Sequence, residues 1–257
     1  MKPTTLVTGA ARGLGAAIAR RLGTRGHHVI VNYRTGEAEA AATVRAIEAA
    51  GGSATSAGAD VTDPAAVDEL IGGILATHGR IDTVVAAANT APPPFAALTD
   101  LSWADFAAKV TGELAGAFHI TKRALVPMRA QGAGRIIYIG STAADYAGEG
   151  RLAHGTAKSA LATFARHIAA ESARDGVSVL VVAPGAVRTP ATAKVLTDER
   201  GALLARESVL GRMLEPDDVA AAVALAADPA LGVATGTTLR VDGGWSVLVG
   251  GPAGRPA

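Results

Sequence analysis

Glycines at positions 9, 13 and 15 stand in the run Thr8-Gly9-Ala10-Ala11-Arg12-Gly13-Leu14-Gly15, directly after a short apolar stretch and before an Ala-rich helical one. At a strand-to-helix junction this pattern suits the binding of a pyrophosphate. Glycine lets the backbone turn sharply, approach the phosphates closely and pack a helix against a strand. The helix N-terminus then presents free N–H groups and the positive end of its dipole to the anion. Sites that take NAD carry an acidic residue about 20 positions further on, which accepts from the ribose 2′-hydroxyl. Here the second apolar run ends Asn32-Tyr33-Arg34, with Tyr33 in the acidic position and no carboxylate before Glu37. Arg34 and Arg12 instead offer guanidinium groups, which attract a 2′-phosphate that a carboxylate would repel. The expected cofactor is NADP(H).

The elements that must hold this loop repeat along the whole chain. Apolar runs at 5–7, 29–31, 83–88, 135–139, 177–182 and 238–241, with a weaker one at 54–59, alternate with helical-period segments at 15–22, 36–50, 64–77, 106–128 and 154–174. Strand–helix alternation implies a parallel sheet, and right-handed crossovers cover both of its faces with helices. The expected fold is therefore α/β, a Rossmann-type doubly wound sheet in a single domain over 1–249, with a frayed tail at 250–257. Two stretches fit no regular element. One is 89–98, with three successive prolines, and the other is 185–216, long enough to suggest a functional lid.

Composition narrows the partners. A net charge of +1 gives no field for steering toward nucleic acid or an anionic membrane. The chain has no cysteine, so thiolate metal sites and disulfides are excluded. His27, His28, His78, His119 and His167 show no metal-ligand spacing and read as surface or packing residues, so no metal is expected. No apolar stretch reaches the roughly 18 residues of a spanning helix, and the first turn glycine comes too early for a secretory segment. A cytoplasmic protein with a small-molecule substrate is expected.

The spacing Thr-Gly-x-x-x-Gly-x-Gly resembles the short-chain dehydrogenase/reductases, and further motifs extend the likeness over nearly the whole chain. Asp60-Val61 matches the place where the family puts an acidic residue on the adenine amino group. Gly140-Ser141 matches the catalytic serine, and Lys158, seventeen residues later, the catalytic lysine. Pro184-Gly185, with Thr189 beyond, looks like the loop that holds the nicotinamide end, and Leu239-Arg240-Val241-Asp242-Gly243-Gly244 like the last strand and turn. The resemblance also implies a homo-oligomer, commonly a tetramer, built partly from the helices at 113–128 and 154–174.

The departures bear on the chemistry. The family's tyrosine, thirteen residues after the serine and four before the lysine, is matched by His154. The Asn-Asn-Ala-Gly segment reads Ala86-Ala87-Ala88-Asn89, and the helix asparagine is matched by Glu113. The site is thus expected to comprise Glu113, Ser141, His154 and Lys158. Histidine transfers protons near neutral pH, although its ring falls short of a phenol oxygen by roughly 2 Å on ordinary bond lengths. A carboxylate at 113 is expected to favour imidazolium, the form that donates a proton. Tyr146, in the loop 143–150, is read as a pocket-lining residue or a second donor. The leading expectation is an NADP(H)-dependent reductase of a ketone or aldehyde, with a polyketide-like or other secondary metabolite as substrate. The alternatives are a non-redox cyclase, dehydratase or isomerase on the same scaffold, and a silent subunit partnering an active relative.

Overall fold

Each apolar run forms a strand of one parallel seven-stranded sheet in the computed structural model, which describes residues 2–194 and 196–247. The strands are β1 (Thr4–Val7), β2 (His28–Tyr33), β3 (Ser53–Gly58), β4 (Thr83–Ala86), β5 (Gly134–Ile139), β6 (Val177–Pro184) and β7 (Thr238–Val241). Their spatial order is β3-β2-β1-β4-β5-β6-β7, so the winding reverses between β1 and β4. Ligands of such sheets bind beyond the strand carboxyl ends at this reversal. The helices are α1 (Gly13–Thr24), α2 (Glu37–Ala49), α3 (Pro64–His78), α4 (Trp103–Gln131), α5 (Leu152–Ser172), α6 (Asp198–Arg206) and α7 (Pro216–Ala226).

Side chains alternate across a strand, so the central strands β1, β2, β4, β5 and β6 each feed two cores. Val7, Val29, Val31, Ile137 and Val182 pack under α1, α2 and α7 through Ile18, Leu22, Ile47 and Val223. Leu6, Ile30, Ile136, Tyr138 and Val181 face the other way, onto α3, α4 and α5 through Ile71, Ile120 and Leu161. Both faces being buried explains why the runs are continuously apolar rather than alternating.

The segment 185–216 differs from the expected irregular lid. It contains α6, capped by Thr197, whose side chain accepts from Arg200 N, and a parallel bridge joins Val187 to Leu214. Segment 89–98 has no helix or strand, as three prolines dictate. The tail assigned to 250–257 and the domain boundary at 249 lie outside the described residues. Among the described residues no helix is long and apolar enough to cross a membrane.

Candidate active site

The glycine loop closes against the end of β4. Gly9 has φ +65°, and a Cβ there would lie 2.7 Å from Ala88 Cα, so only glycine fits. Thr8 Oγ1 accepts from the backbone N–H groups of Ala87 (3.0 Å) and Ala88 (3.1 Å), which ties the two strand ends together. Gly13, with φ +60°, faces open space, its nearest neighbour being Pro190 Cδ at 4.0 Å. Arg12 occupies the N-cap of α1, and no side chain caps the first turn. Open backbone N–H groups above a glycine cradle fit a pyrophosphate. Leu14 is partly buried and packs against the core.

The two arginines are each loosely paired with a carboxylate. Arg34 Nη1 stands 3.6 Å from Asp60 Oδ2, and Arg12 Nη1 stands 3.9 Å from Glu39 Oε1. Asp60 Oδ1 accepts from the Thr62 N–H (2.9 Å) and hydroxyl (2.8 Å). The Thr62 N–H bond, with help from Arg34, holds the Asp60 carboxyl below its ordinary range. Glu39 was not foreseen as Arg12's partner. Tyr33 lays its ring against Gly58, and Val61 is buried against Gly116. At the far end of the cleft, Gly185 N donates to Val241 O (2.9 Å) and Thr189 N to Thr192 Oγ1 (2.8 Å), which shapes the loop after Pro184.

Ser141 follows β5 and caps the short turn Thr142–Ala144, its Oγ accepting from Ala143 N at 3.2 Å. Helix α5 packs directly on this turn. A Cβ on Gly155 would stand 2.8 Å from Ala143 O, and Ser159 Oγ donates to Ala144 O at 2.9 Å. His154 and Lys158, one turn apart on α5, are thereby brought beside the Ser141 turn. Lys158 Nζ donates to Ile139 O (2.8 Å) and to Glu113 Oε1 (2.5 Å).

The sequence reading missed Lys109. Its side chain is 1% exposed, and its Nζ donates to Glu113 Oε2 (2.8 Å), Asn89 Oδ1 (3.1 Å) and Ala91 O (3.0 Å). Glu113 therefore carries an ammonium on each carboxylate oxygen. Burial pushes its pKa up, but Lys158 and Lys109 more than cancel that, and the carboxyl stays ionised. Asn89 places its side-chain oxygen on Lys109.

Glu113 pulls His154 toward imidazolium, as expected, but that pull is outweighed. Burial, followed by repulsion from Lys158 and Lys109, pushes the His154 pKa down to about 4 despite the opposing pull of Glu113. The ring is neutral near pH 7. Its Nδ1 is buried with no hydrogen-bond partner among the described residues. A cleft of about 580 Å³ opens beside the Ser141 turn, lined by Thr142, Phe95, Tyr146, Arg151 and Trp245 among others. Tyr146 stacks edge-on against Trp245, their ring centres 4.7 Å apart, which makes it a wall of the cleft. Of the remaining histidines, His28 lies against His78, their ring centres 4.4 Å apart, His27 Nδ1 bonds Thr5 Oγ1 at 2.7 Å, and His167 is exposed.

Comparison with known proteins places this geometry in context. The family model for enoyl-(acyl carrier protein) reductase matches residues 9–246. The short-chain reductase protein NovJ of Streptomyces niveus is 39% identical, covering 93% of this chain and 92% of its own. The 3beta-hydroxysteroid dehydrogenase 1 of Eggerthella lenta is 36% identical, covering 96% and 95%. Among solved structures, a gluconate 5-dehydrogenase from Burkholderia cenocepacia in complex with NADP and tartrate superposes with a TM-score of 0.89 at 29% identity, over 97% of each chain. A glycine cradle at the winding reversal, a lysine pinned to the end of β5, and full-length likeness to these enzymes lead to one conclusion: the chain belongs to the short-chain dehydrogenase/reductase family of nicotinamide-dependent oxidoreductases.

Proposed function

We propose that the protein is an NADP(H)-dependent oxidoreductase that interconverts a ketone or aldehyde and the corresponding alcohol, with Ser141, His154 and Lys158 at the reacting centre and Glu113 behind them. The observation that carries this reading is the docking of α5 onto the Ser141 turn, which gathers a hydroxyl, an imidazole and an ammonium beyond the strand ends where the glycine cradle also opens. The gluconate 5-dehydrogenase structure, with its NADP, supports the choice of nucleotide. Gly9, Gly13 and Gly15 would take the pyrophosphate, Arg12 and Arg34 the 2′-phosphate, and Asp60 the adenine. Pro184, Gly185 and Thr189 would border the nicotinamide, which when bound supplies the hydride donor or acceptor.

The chain's own groups do the rest. Ser141 Oγ has one lone pair committed to Ala143 N–H, which orients its proton to donate to a substrate oxygen. Lys158 has two of its three ammonium protons committed, to Ile139 O and Glu113, and the third can hold a ribose hydroxyl. His154, neutral at rest, is a proton acceptor. It takes the hydroxyl proton of an alcohol as hydride leaves the same carbon, and returns that proton in the reverse direction. In the nucleotide-free state the imidazole is neutral near pH 7, the form that accepts a proton from an alcohol. The non-redox alternative needs Glu113 as an acid–base partner of His154, and two ammoniums on that carboxylate argue against it. Exposed Phe118, Val126 and Leu152 on α4 and α5 support assembly through these helices, and we propose a homo-tetramer.

The assay is direct. Secondary alcohols are expected to support NADP⁺ reduction, and ketones slower NADPH oxidation, in a panel followed by nicotinamide absorbance. No nucleotide turnover with either panel, alongside product formation, would sink the redox reading. Arg34→Ala is expected to remove a charge-assisted contact of about 1.5–3 kcal/mol, a tenfold or greater loss of NADP(H) affinity with NAD(H) unaffected. Calorimetry that finds equal affinity of the wild type for both nucleotides defeats the NADP(H) assignment.

A further inference from the structure

Lys109 is among the largest fully buried side chains of the protein, and nothing in the proposed reaction requires it. A buried ammonium is costly unless paired and hydrogen-bonded. Here all three of its protons are used, on Glu113 Oε2, Asn89 Oδ1 and Ala91 O. It lies one helical turn before Glu113, and Glu113 reaches across to Lys158 on α5. The cluster Lys109–Glu113–Lys158 therefore carries one net positive charge, shared through a single carboxylate.

We propose that Lys109 is a positioning residue of this site: it neutralises Glu113, so that the charge facing His154 is that of Lys158 alone. The inference rests on the reading of His154 as the proton-transfer residue, which it deepens. Without Lys109, Glu113 and Lys158 would form a neutral pair, and the imidazole would meet no net positive charge from them. With Lys109 the same carboxylate is present, but its field at His154 is cancelled. Lys109 also holds the Asn89 side chain and the Ala91 carbonyl, in the segment that continues from the β4 end Gly9 touches, and so ties that segment to Glu113 and, through it, to Lys158 on α5.

The charged groups around His154 are Lys109 and Glu113 from α4, Lys158 from its own helix, and Arg151 just before that helix. Lys158 and Arg151 stay constant in the test. His154 is followed by imidazole NMR titration in the nucleotide-free protein, for wild type, Lys109→Met and the double variant Lys109→Met/Glu113→Gln. Loss of a nearby like charge raises a histidine pKa. Lys109→Met is expected to move the His154 midpoint upward by about one pH unit or more. The double variant keeps the net charge of the wild-type cluster, and its midpoint is expected to return to the wild-type position. A Lys109→Met midpoint equal to that of wild type overturns the proposal, as does a double variant that titrates like Lys109→Met. Should Lys109→Met fail to fold, the double variant decides alone, because it removes the buried pair together: a midpoint displaced from wild type overturns the proposal. The readout requires no turnover. The expected titrations in a protein whose His154→Ala variant is fully active would refute the catalytic reading and leave the role of Lys109 standing.

Discussion

His154→Ala is expected to lower turnover by about 10²–10⁴-fold, the usual contribution of general acid–base catalysis, or roughly 3–5 kcal/mol of barrier. NADP(H) affinity should stay close to that of wild type, because the cradle, the arginines and Lys158 are untouched. Steady-state kinetics in the alcohol-oxidising direction, paired with nucleotide titration, separate the two effects. The variant has a second signature. A histidine whose folded pKa is depressed stabilises the fold above its unfolded value, near 6.5, and that contribution is lost as pH falls to the folded value of about 4. Wild-type stability is thus expected to decline between these limits, and His154→Ala to show a shallower decline. Full activity of His154→Ala on an accepted substrate would end the assignment, leaving Ser141 with water or Tyr146 to move the proton.

Glu113→Leu is expected to have the largest effect on stability. The change leaves the ammoniums of Lys109 and Lys158 buried without a counter-charge, a loss that typically costs 3–5 kcal/mol. For a chain of this length that lowers Tm by on the order of 10 °C. Glu113 has a depressed folded pKa, so its contribution is present above the ordinary carboxylate range and disappears as pH falls through the depressed value. The deficit of Glu113→Leu is therefore expected to be full at neutral pH and to shrink in acid. Thermal unfolding across pH measures both. A neutral-pH Tm within a degree or two of wild type would show that the carboxylate does not hold the cluster together.

The fold was legible because its punctuation is strong. Glycines at 9, 13 and 15, apolar runs of strand length, and helical stretches between them admit few architectures. The reach of the reading ended where polarity and burial disagree. Lys109 and Glu113 lie four residues apart, the spacing of an exposed helix ion pair. Yet the buried face of α4 runs through Ala117, Ile120, Ala124 and Met128, and extending it backward by helical steps reaches Glu113 and Lys109. That stripe was the available signal. The His154 shift was not readable, since it depends first on how deeply the ring is buried and then on which charges meet across helices 45 residues apart in sequence. Helix α6 was missed for the opposite reason. It buries no side chain, so its apolar residues mark no periodic face, and the prolines and glycines around it dominate the local pattern.

The two lysines on one carboxylate also constrain how such a site can arise by descent. A lysine appearing at 109 beside Lys158, with a neutral residue at 113, would bury a second ammonium without a counter-charge, held only by Asn89 Oδ1 and Ala91 O, at a cost in stability. A carboxylate appearing first at 113 would find Lys158 waiting 45 residues downstream in the chain. Only then does a lysine one turn earlier become tolerable. Stability therefore favours one order of substitution, carboxylate before lysine, and the reverse order for its undoing.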